Sequence, residues 1–482
     1  MMRQINRVTG ILILLVLALI LNVSYIQVFQ AKHLRSEPGN QRVLLNEYSR
    51  QRGAILVGSK SIAYSQSTKD ALKYLRKYPE GSEYAPVTGF YSQVYGATAL
   101  EQKENDILAG NDSRFFVNRL AQLLANRKPA GGAVRLTINA AAQRAAMRGL
   151  AGRTGAVIAL DPSTGAMLAI ASSPSFDPNL LSSHDPNVIQ KTYEALTSNQ
   201  KEPLLNRALA MALPPGSTFK LVTAAAALES GNYTLRSILP GPARIKLPQS
   251  DHYLSNWTGQ ACGAGDKVTL ERALAISCNT AFAWLGMKLG AKALQDQAEK
   301  FGFESSFDVP MTSATSHFPK KLDGAQTAMS AIGQFDVQAT PLQMALVSAS
   351  IANGGVTMEP YLINQVLGPD LNTLQNATPT AYGRSVSPKN ATSLQSAMLA
   401  VVNSGTGTNA QISGIKVGGK TGTAQNAPGS PAHAWFTGWA KSGNTKVAVA
   451  VVLQNGGGAR EISGNGLAAP IARAVMRAAL GR

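Results

Sequence analysis

The sequence predicts an α+β protein in which an antiparallel sheet covered by helices is joined to a smaller N-terminal domain and one N-terminal transmembrane helix. Three observations lead there. A charge-free, largely apolar stretch, residues 8–29, lies near the start of the chain. Strand-like segments occur near both ends of the region after Gly155, with helical segments between them, which suggests one sheet closed by the two ends of a large domain. Between these two regions neither pattern is sustained. At 482 residues, 45% hydrophobic and only 15% charged, the chain has ample core for two or three domains and is no disordered polymer.

The apolar stretch of about 22 residues would span about 33 Å as a helix, enough for a bilayer core. Arg3 and Arg7 precede it and keep the N-terminus cytoplasmic, sending the rest of the chain outside. A cleaved signal peptide has the same charge pattern, but no convincing small-x-small cleavage site follows. The expected organisation is a cytoplasmic tail (1–7), a transmembrane anchor (8–29), an N-terminal non-catalytic domain (30–151) and a catalytic domain (152–482). The net charge of +18 favours anionic surroundings: nucleic acid, acidic phospholipid or wall polymer. No zinc-finger spacing or sustained basic run supports nucleic acid.

Residues 33–52 are polar and arginine-rich, and residues 84–95 are rich in aromatics with Gly and Pro. No catalytic constellation occurs here, which leaves a spacer or interaction domain. Residues 136–139 read as a short strand and cap before the alanine-rich helix 140–150. Strands are expected at 156–160 and 166–171 around the turn Asp161-Pro162-Ser163-Thr164-Gly165. Helices follow at 217–228, 280–301, 341–352 and 391–402. Strands 434–440 and 447–454 flank the turn Lys441-Ser442-Gly443-Asn444, and helix 467–480 closes the chain. There is no internal repeat.

The chemistry gathers around Leu213-Pro214-Pro215-Gly216-Ser217-Thr218-Phe219-Lys220. The prolines and glycine cannot lie inside a helix, so one should begin near Ser217. Ser217 and Lys220 then share a face. A serine hydroxyl is a poor nucleophile until a base takes its proton, which a buried lysine of lowered pKa can do. Alone, the pair reads equally as an N-cap and a solvated lysine. Two further fragments change this: Ser277-Cys278-Asn279 before an apolar helix, and Lys420-Thr421-Gly422-Thr423 before the C-terminal strands.

Ser-x-x-Lys, Ser-x-Asn and Lys-Thr-Gly, in that order, resemble the signature of the penicillin-recognising serine acyltransferases and hydrolases. Residues 155–179, Asn206-Arg207-Ala208, Ile332-Gly333-Gln334, Thr340-Pro341-Leu342-Gln343 and Ile351-Ala352-Asn353-Gly354-Gly355 are similar to the transpeptidase domain of that family. Residues 40–56 and 84–95 resemble the N-terminal domain of its monofunctional class B members, and the chain is most similar to the actinobacterial branch. Ala54-Ile55-Leu56-Val57-Gly58 departs from the Asp-Arg-Asn-Gly turn common in that class, which leaves local N-terminal geometry open.

The resemblance implies a penicillin-binding transpeptidase fold and a D,D-transpeptidase that cross-links peptidoglycan stem peptides through an acyl-enzyme on Ser217, inhibited by β-lactams. Lys220 would be the base, its charged form disfavoured by burial and by Lys420. Ser277 would relay a proton to the leaving amine, and Asn279 would bind the substrate backbone. Backbone N–H groups of Ser217 and Thr423 would form the oxyanion hole. Thr421 and Thr423, with Lys420 behind them, would hold the terminal carboxylate, and Gly422 would leave room for substrate. The implied partners are stem peptides, β-lactam antibiotics, the cell membrane through the anchor, and proteins of wall synthesis or division. The protein would be a single-pass cell-membrane protein with its catalytic domain outside the cytoplasm. No cofactor is implied.

Several rival functions share part of this pattern. Gly414-Ile415-Lys416-Val417-Gly418-Gly419-Lys420-Thr421 matches the phosphate-loop pattern, but Gly422, Pro428, Gly429 and Pro431 would break the helix such a loop must open. A β-lactamase of the same fold needs a deacylating glutamate; Glu202-Pro203-Leu204-Leu205-Asn206 has the pattern but precedes Ser217 instead of following Ser277. A D,D-carboxypeptidase would share every motif. A penicillin-binding sensor would need an output domain that the short tail does not provide. The five histidines lack metal-ligand spacing, so no metal is expected. Cys262 and Cys278, the two cysteines, read outside the membrane, where a disulfide persists; the alternative is two unrelated buried side chains.

Overall fold

The structure, a computed structural model, describes residues 2–30, 47–115, 130–311, 313–425, 431–456 and 464–482. Most of the arginine-rich stretch, residues 40–46 of the N-terminal match, and Pro428 and Gly429 lie outside the described residues. Helix α1 (Met2–Tyr25) runs into a π-helical turn, Ile26–Gln30. Within it, residues 6–25 have a mean hydropathy of 2.4 and an exposed apolar surface.

Two sheets follow. Their strands in chain order are β1 (Ile55–Val57), β2 (Lys60–Ser67), β3 (Tyr74–Lys77), β4 (Ala133–Leu136), β5 (Gly155–Leu160), β6 (Met167–Ser173), β7 (Ile363–Leu367), β8 (Thr373–Asn376), β9 (Lys416–Ala424), β10 (His433–Ser442) and β11 (Thr445–Leu453). The helices used below are α2 (Ala140–Leu150), α3 (Lys220–Glu229), α4 (Leu270–Ala275), α5 (Asn279–Leu289), α6 (Ala291–Lys300), α7 (Pro341–Ala352), α8 (Pro388–Ser404) and α9 (Ala469–Ala479).

The larger domain is built on the order β9-β10-β11-β5-β6, antiparallel throughout. The two ends of this domain thus meet at the β11–β5 pair, as the strand pattern predicted. Period-2 alternation sorts its side chains between two cores. Val157, Ala159, Val449 and Val451 pack under α2 and α9 with Ala146, Ile471 and Val475. Ile158, Leu160, Ala450 and Val452 face the opposite side with the residues of α7. Every residue of α7 is buried, including Gln343, Ser348 and Ser350; Thr340 caps it and Pro341 occupies its first turn. Each fully buried Val, Leu or Ile side chain stabilises by about 1.5–3 kcal/mol.

The single helix expected over 280–301 is two, α5 and α6. They meet at Gly290, whose φ of 82° ends the first. The other sheet was not foreseen as such. Its order is β8-β7-β4-β1-β2-β3, with β1 and β4 parallel and the other pairs antiparallel. The expected division at residue 151 falls inside packed structure: α2 covers the catalytic sheet, while β7 and β8 extend the N-terminal one. Between β3 and β4, Glu101 is fully buried and bonds Arg52 Nε (2.6 Å), Arg76 Nε (2.7 Å) and the Tyr78 hydroxyl (3.0 Å). The two guanidiniums overcome the burial cost and hold the Glu101 carboxyl below its usual range.

Candidate active site

The Ser217 turn forms where its sequence directs it. Gly216–Phe219 is a 3-10 turn leading into α3 at Lys220, one turn tighter at its start than an ideal α-helix. The Thr218 hydroxyl donates to Pro215 O (2.7 Å), and Gly216 N–H donates to Gly333 O (2.9 Å), tying the turn to the Ile332-Gly333-Gln334 segment. Ser277 sits between α4 and α5 with a φ of +61°, a conformation that costs a non-glycine residue about 1–2 kcal/mol. Ser277 N–H donates to Leu274 O (3.2 Å) and Cys278 N–H to Ala273 O (2.8 Å), which closes α4. Cys278 is joined by a disulfide to Cys262, with Cα atoms 6.0 Å apart.

Asn256 was missed by sequence reasoning, though it holds the same turn. Its Oδ1 accepts from the backbone N–H of Asn279 (3.0 Å) and Thr280 (3.1 Å), capping α5 from 23 residues upstream. Its amide nitrogen donates to Pro242 O and Gln260 O, both at 2.9 Å. No sequence signal marks it, because caps are sought in the residue next to the helix.

The third motif lies on β9, an edge strand whose one neighbour in the sheet is β10. Three motifs from three parts of the chain meet there. Lys220 Nζ is 2.8 Å from Ser277 O, 2.7 Å from Asn279 Oδ1 and 3.3 Å from Ser277 Oγ. Lys420 Nζ donates to Ser277 Oγ (2.9 Å) and Thr421 O (3.0 Å). Both lysines are fully buried. Burial, reinforced by the Lys420 charge, holds Lys220 well below the ordinary lysine range. Burial alone brings Lys420 down to about 7. Two of the Lys220 contacts are to obligate acceptors, and the third and longest is to a hydroxyl, which can donate or accept.

Beside this cluster is a cleft of about 690 Å³, lined among others by Ser217, Ser277, Asn279, Thr406, Thr421 and Thr423. No carboxylate is among its described lining residues. Thr406, unmarked in the sequence, places its hydroxyl 2.6 Å from that of Thr421. A Cβ at Gly422 would meet Pro215 O at 2.9 Å and Thr218 Cγ2 at 3.0 Å, so the Ser217 turn packs against β9 at this glycine. Asn279, which lines the cleft, gives its oxygen to Lys220 and an N–H to Ser255 O (3.1 Å).

Two rival motifs are placed elsewhere. The phosphate-loop pattern runs into strand β9 and opens no helix. Glu202 lies by Arg207 (3.8 Å) on a different cavity, with Gln454 and Asn455.

Comparison with known proteins agrees with this geometry. Residues 155–477 match the model of the penicillin-binding protein transpeptidase domain, and residues 52–134 that of the penicillin-binding protein A dimerisation domain. The chain is 44% identical to the peptidoglycan D,D-transpeptidase PbpA of Mycolicibacterium smegmatis, over 99% of each chain. Penicillin-binding protein A of Mycobacterium tuberculosis, solved as a ceftriaxone acyl-enzyme, superposes with a TM-score of 0.88 at 44% identity, over 91% of this chain and 100% of that one. Its penicillin G acyl-enzyme gives 0.85 at 43% identity, over 89% and 100%. The chain belongs to the penicillin-binding protein transpeptidase family.

Proposed function

We propose that this chain is a peptidoglycan D,D-transpeptidase that cross-links stem peptides through an acyl-enzyme on Ser217. The observation that carries the reading is the convergence of Lys220 and Lys420 on the Ser277 hydroxyl, beside the cleft that Ser217 lines. Lys220, kept neutral, takes the Ser217 proton as Oγ attacks the carbonyl of the penultimate D-alanine. The tetrahedral oxyanion would be met by the backbone N–H groups of Ser217 and Thr423. Collapse breaks the C–N bond; the proton passes through Ser277 to the departing D-alanine amine, leaving an ester on Ser217. An acceptor amine then attacks the ester, the bond from the carbonyl to Ser217 Oγ breaks as the cross-linking amide forms, and the proton shed by the amine passes through Lys220 to Ser217 Oγ, regenerating both groups.

A carboxylate of the donor, or of a β-lactam, would lie against Thr421 and Thr423. Without a carboxylate among the described lining residues to activate water, a penicilloyl ester should persist, which favours an inhibited transpeptidase over a β-lactamase. Residues 8–29 are read as a membrane anchor, with the catalytic domain outside the cytoplasm, and residues 30–151 as a module for contact with wall-synthesis or division proteins. Product analysis with a stem-peptide donor and an amine acceptor tests the function. A cross-linked product is expected; hydrolysis alone, at saturating acceptor, would make it a carboxypeptidase.

A further inference from the structure

We propose that Thr406 is a positioning residue for the substrate carboxylate, acting through Thr421. The inference rests on the reading of Thr421 as a carboxylate anchor and adds the residue that directs its proton. A hydroxyl has one hydrogen and two lone pairs. Were the Thr421 hydrogen turned toward Thr406, Thr421 would show lone pairs to an anion and repel it. The Thr406 hydroxyl lies 2.6 Å from Thr421 Oγ1, and among the described residues that oxygen is its one hydrogen-bond partner. Either hydroxyl can be the donor in the free enzyme; a carboxylate in the cleft that both residues line can only accept, so with one bound Thr421 donates to it and Thr406 donates to Thr421. A hydroxyl that accepts one hydrogen bond also donates a stronger one.

The backbone fixes this hydroxyl in place. Thr406 N–H donates to Ala275 O (3.0 Å), the last residue of α4, and Gly407 N–H donates to Val401 O (2.9 Å) in α8. A side chain at Gly405 would meet Ala275 O at 2.2 Å, so it is this glycine that lets the loop lie against the end of α4. Thr406 thus spans the gap between the element carrying Ser277 and the strand carrying Lys420. Lys420 is drawn toward neutrality by burial, so its charge alone is a weak counterion at neutral pH, and oriented hydroxyl donors carry more of the recognition.

The test compares acylation of the purified enzyme by two thioester donors that differ in one group, a free carboxylate or its primary amide, at matched conditions. Wild type should prefer the carboxylate donor. T406V, which keeps the branched shape and loses the hydroxyl, should reduce that preference about tenfold, through KM more than kcat. T406S should retain it. In a T421V background, adding T406V should cost less than twofold, since the partner through which it acts is gone. T406V losing both donors equally, or additive losses in the double variant, would show a structural role and overturn the proposal. If T421V alone keeps the full carboxylate preference, the underlying assignment of Thr421 fails first. Should T406V fold poorly, T406S decides: loss of preference in that variant contradicts the proposal.

Discussion

Cutting the Cys262–Cys278 bridge should both destabilise the catalytic domain and slow its chemistry. The cysteines are 16 positions apart, and closing such a loop restricts the unfolded chain by about 3 kcal/mol in chain-entropy terms. For a domain of this size that corresponds to a fall in Tm of about 5 °C. The kinetic effect has a separate origin. Ser277 is held at a φ of +61° by the hydrogen bonds that close α4 and, one residue on, by the bridge. Releasing one of these restraints lets a conformation that costs about 1–2 kcal/mol relax, which corresponds to up to about tenfold in rate. Cys262→Ser is the cleaner variant because it leaves Cys278 in place. Thermal unfolding and stopped-flow acylation by benzylpenicillin should both change, while the enzyme still acylates. If C262S melts and acylates like wild type, the bridge neither stabilises the domain nor holds Ser277.

Three further outcomes follow from the same geometry. Lys220→Ala should lower acylation by about 10²–10⁴-fold, and Lys220→Arg should not restore it, because a guanidinium stays charged; near-normal rates in the Arg variant would make Lys220 a fixed charge and no base. Lys420 titrates at about 7 when folded and at about 10.4 when unfolded, so in that window the unfolded chain binds the extra proton and this site's contribution to stability rises by about 1.4 kcal/mol per pH unit. That contribution is lost as pH falls toward 7; denaturant titrations at pH 7 and 9 should show a steeper rise in wild type than in Lys420→Met, and equal slopes would contradict the burial argument. Gly422→Ala should slow acylation by pushing Pro215 and Thr218 off β9, while Tm falls by only a few degrees; an unchanged rate would mean that the Ser217 turn tolerates the displacement.

What the sequence made legible was the part fixed by local rules. Pro215 and Gly216 must precede a helix, and the short apolar runs at residues 156–160 and 447–453 suit strands of a buried sheet, so the nucleophile turn and the central sheet were readable. The burial of Lys220 beside Lys420 was expected from motif order. Long-range packing was not legible. β7 and β8 cross from the catalytic region to the N-terminal sheet, and no local pattern tells a strand which sheet to join. Asn256 caps a helix from 23 residues away, and Thr406 meets Thr421 across a loop; each is a polar residue in an ordinary turn until the fold brings its partner near. The close approach of Pro215 and Thr218 to Gly422 was likewise not readable, because it depends on where the Ser217 turn docks.

The account turns on Ser217 as the acylated residue. The direct measurement is intact-mass analysis of the purified protein after incubation with benzylpenicillin, followed by peptide mapping of the adduct. One penicilloyl group on the peptide containing Ser217, absent in Ser217→Ala, is the predicted result. An adduct on a different residue, or one that persists undiminished in Ser217→Ala, would contradict it.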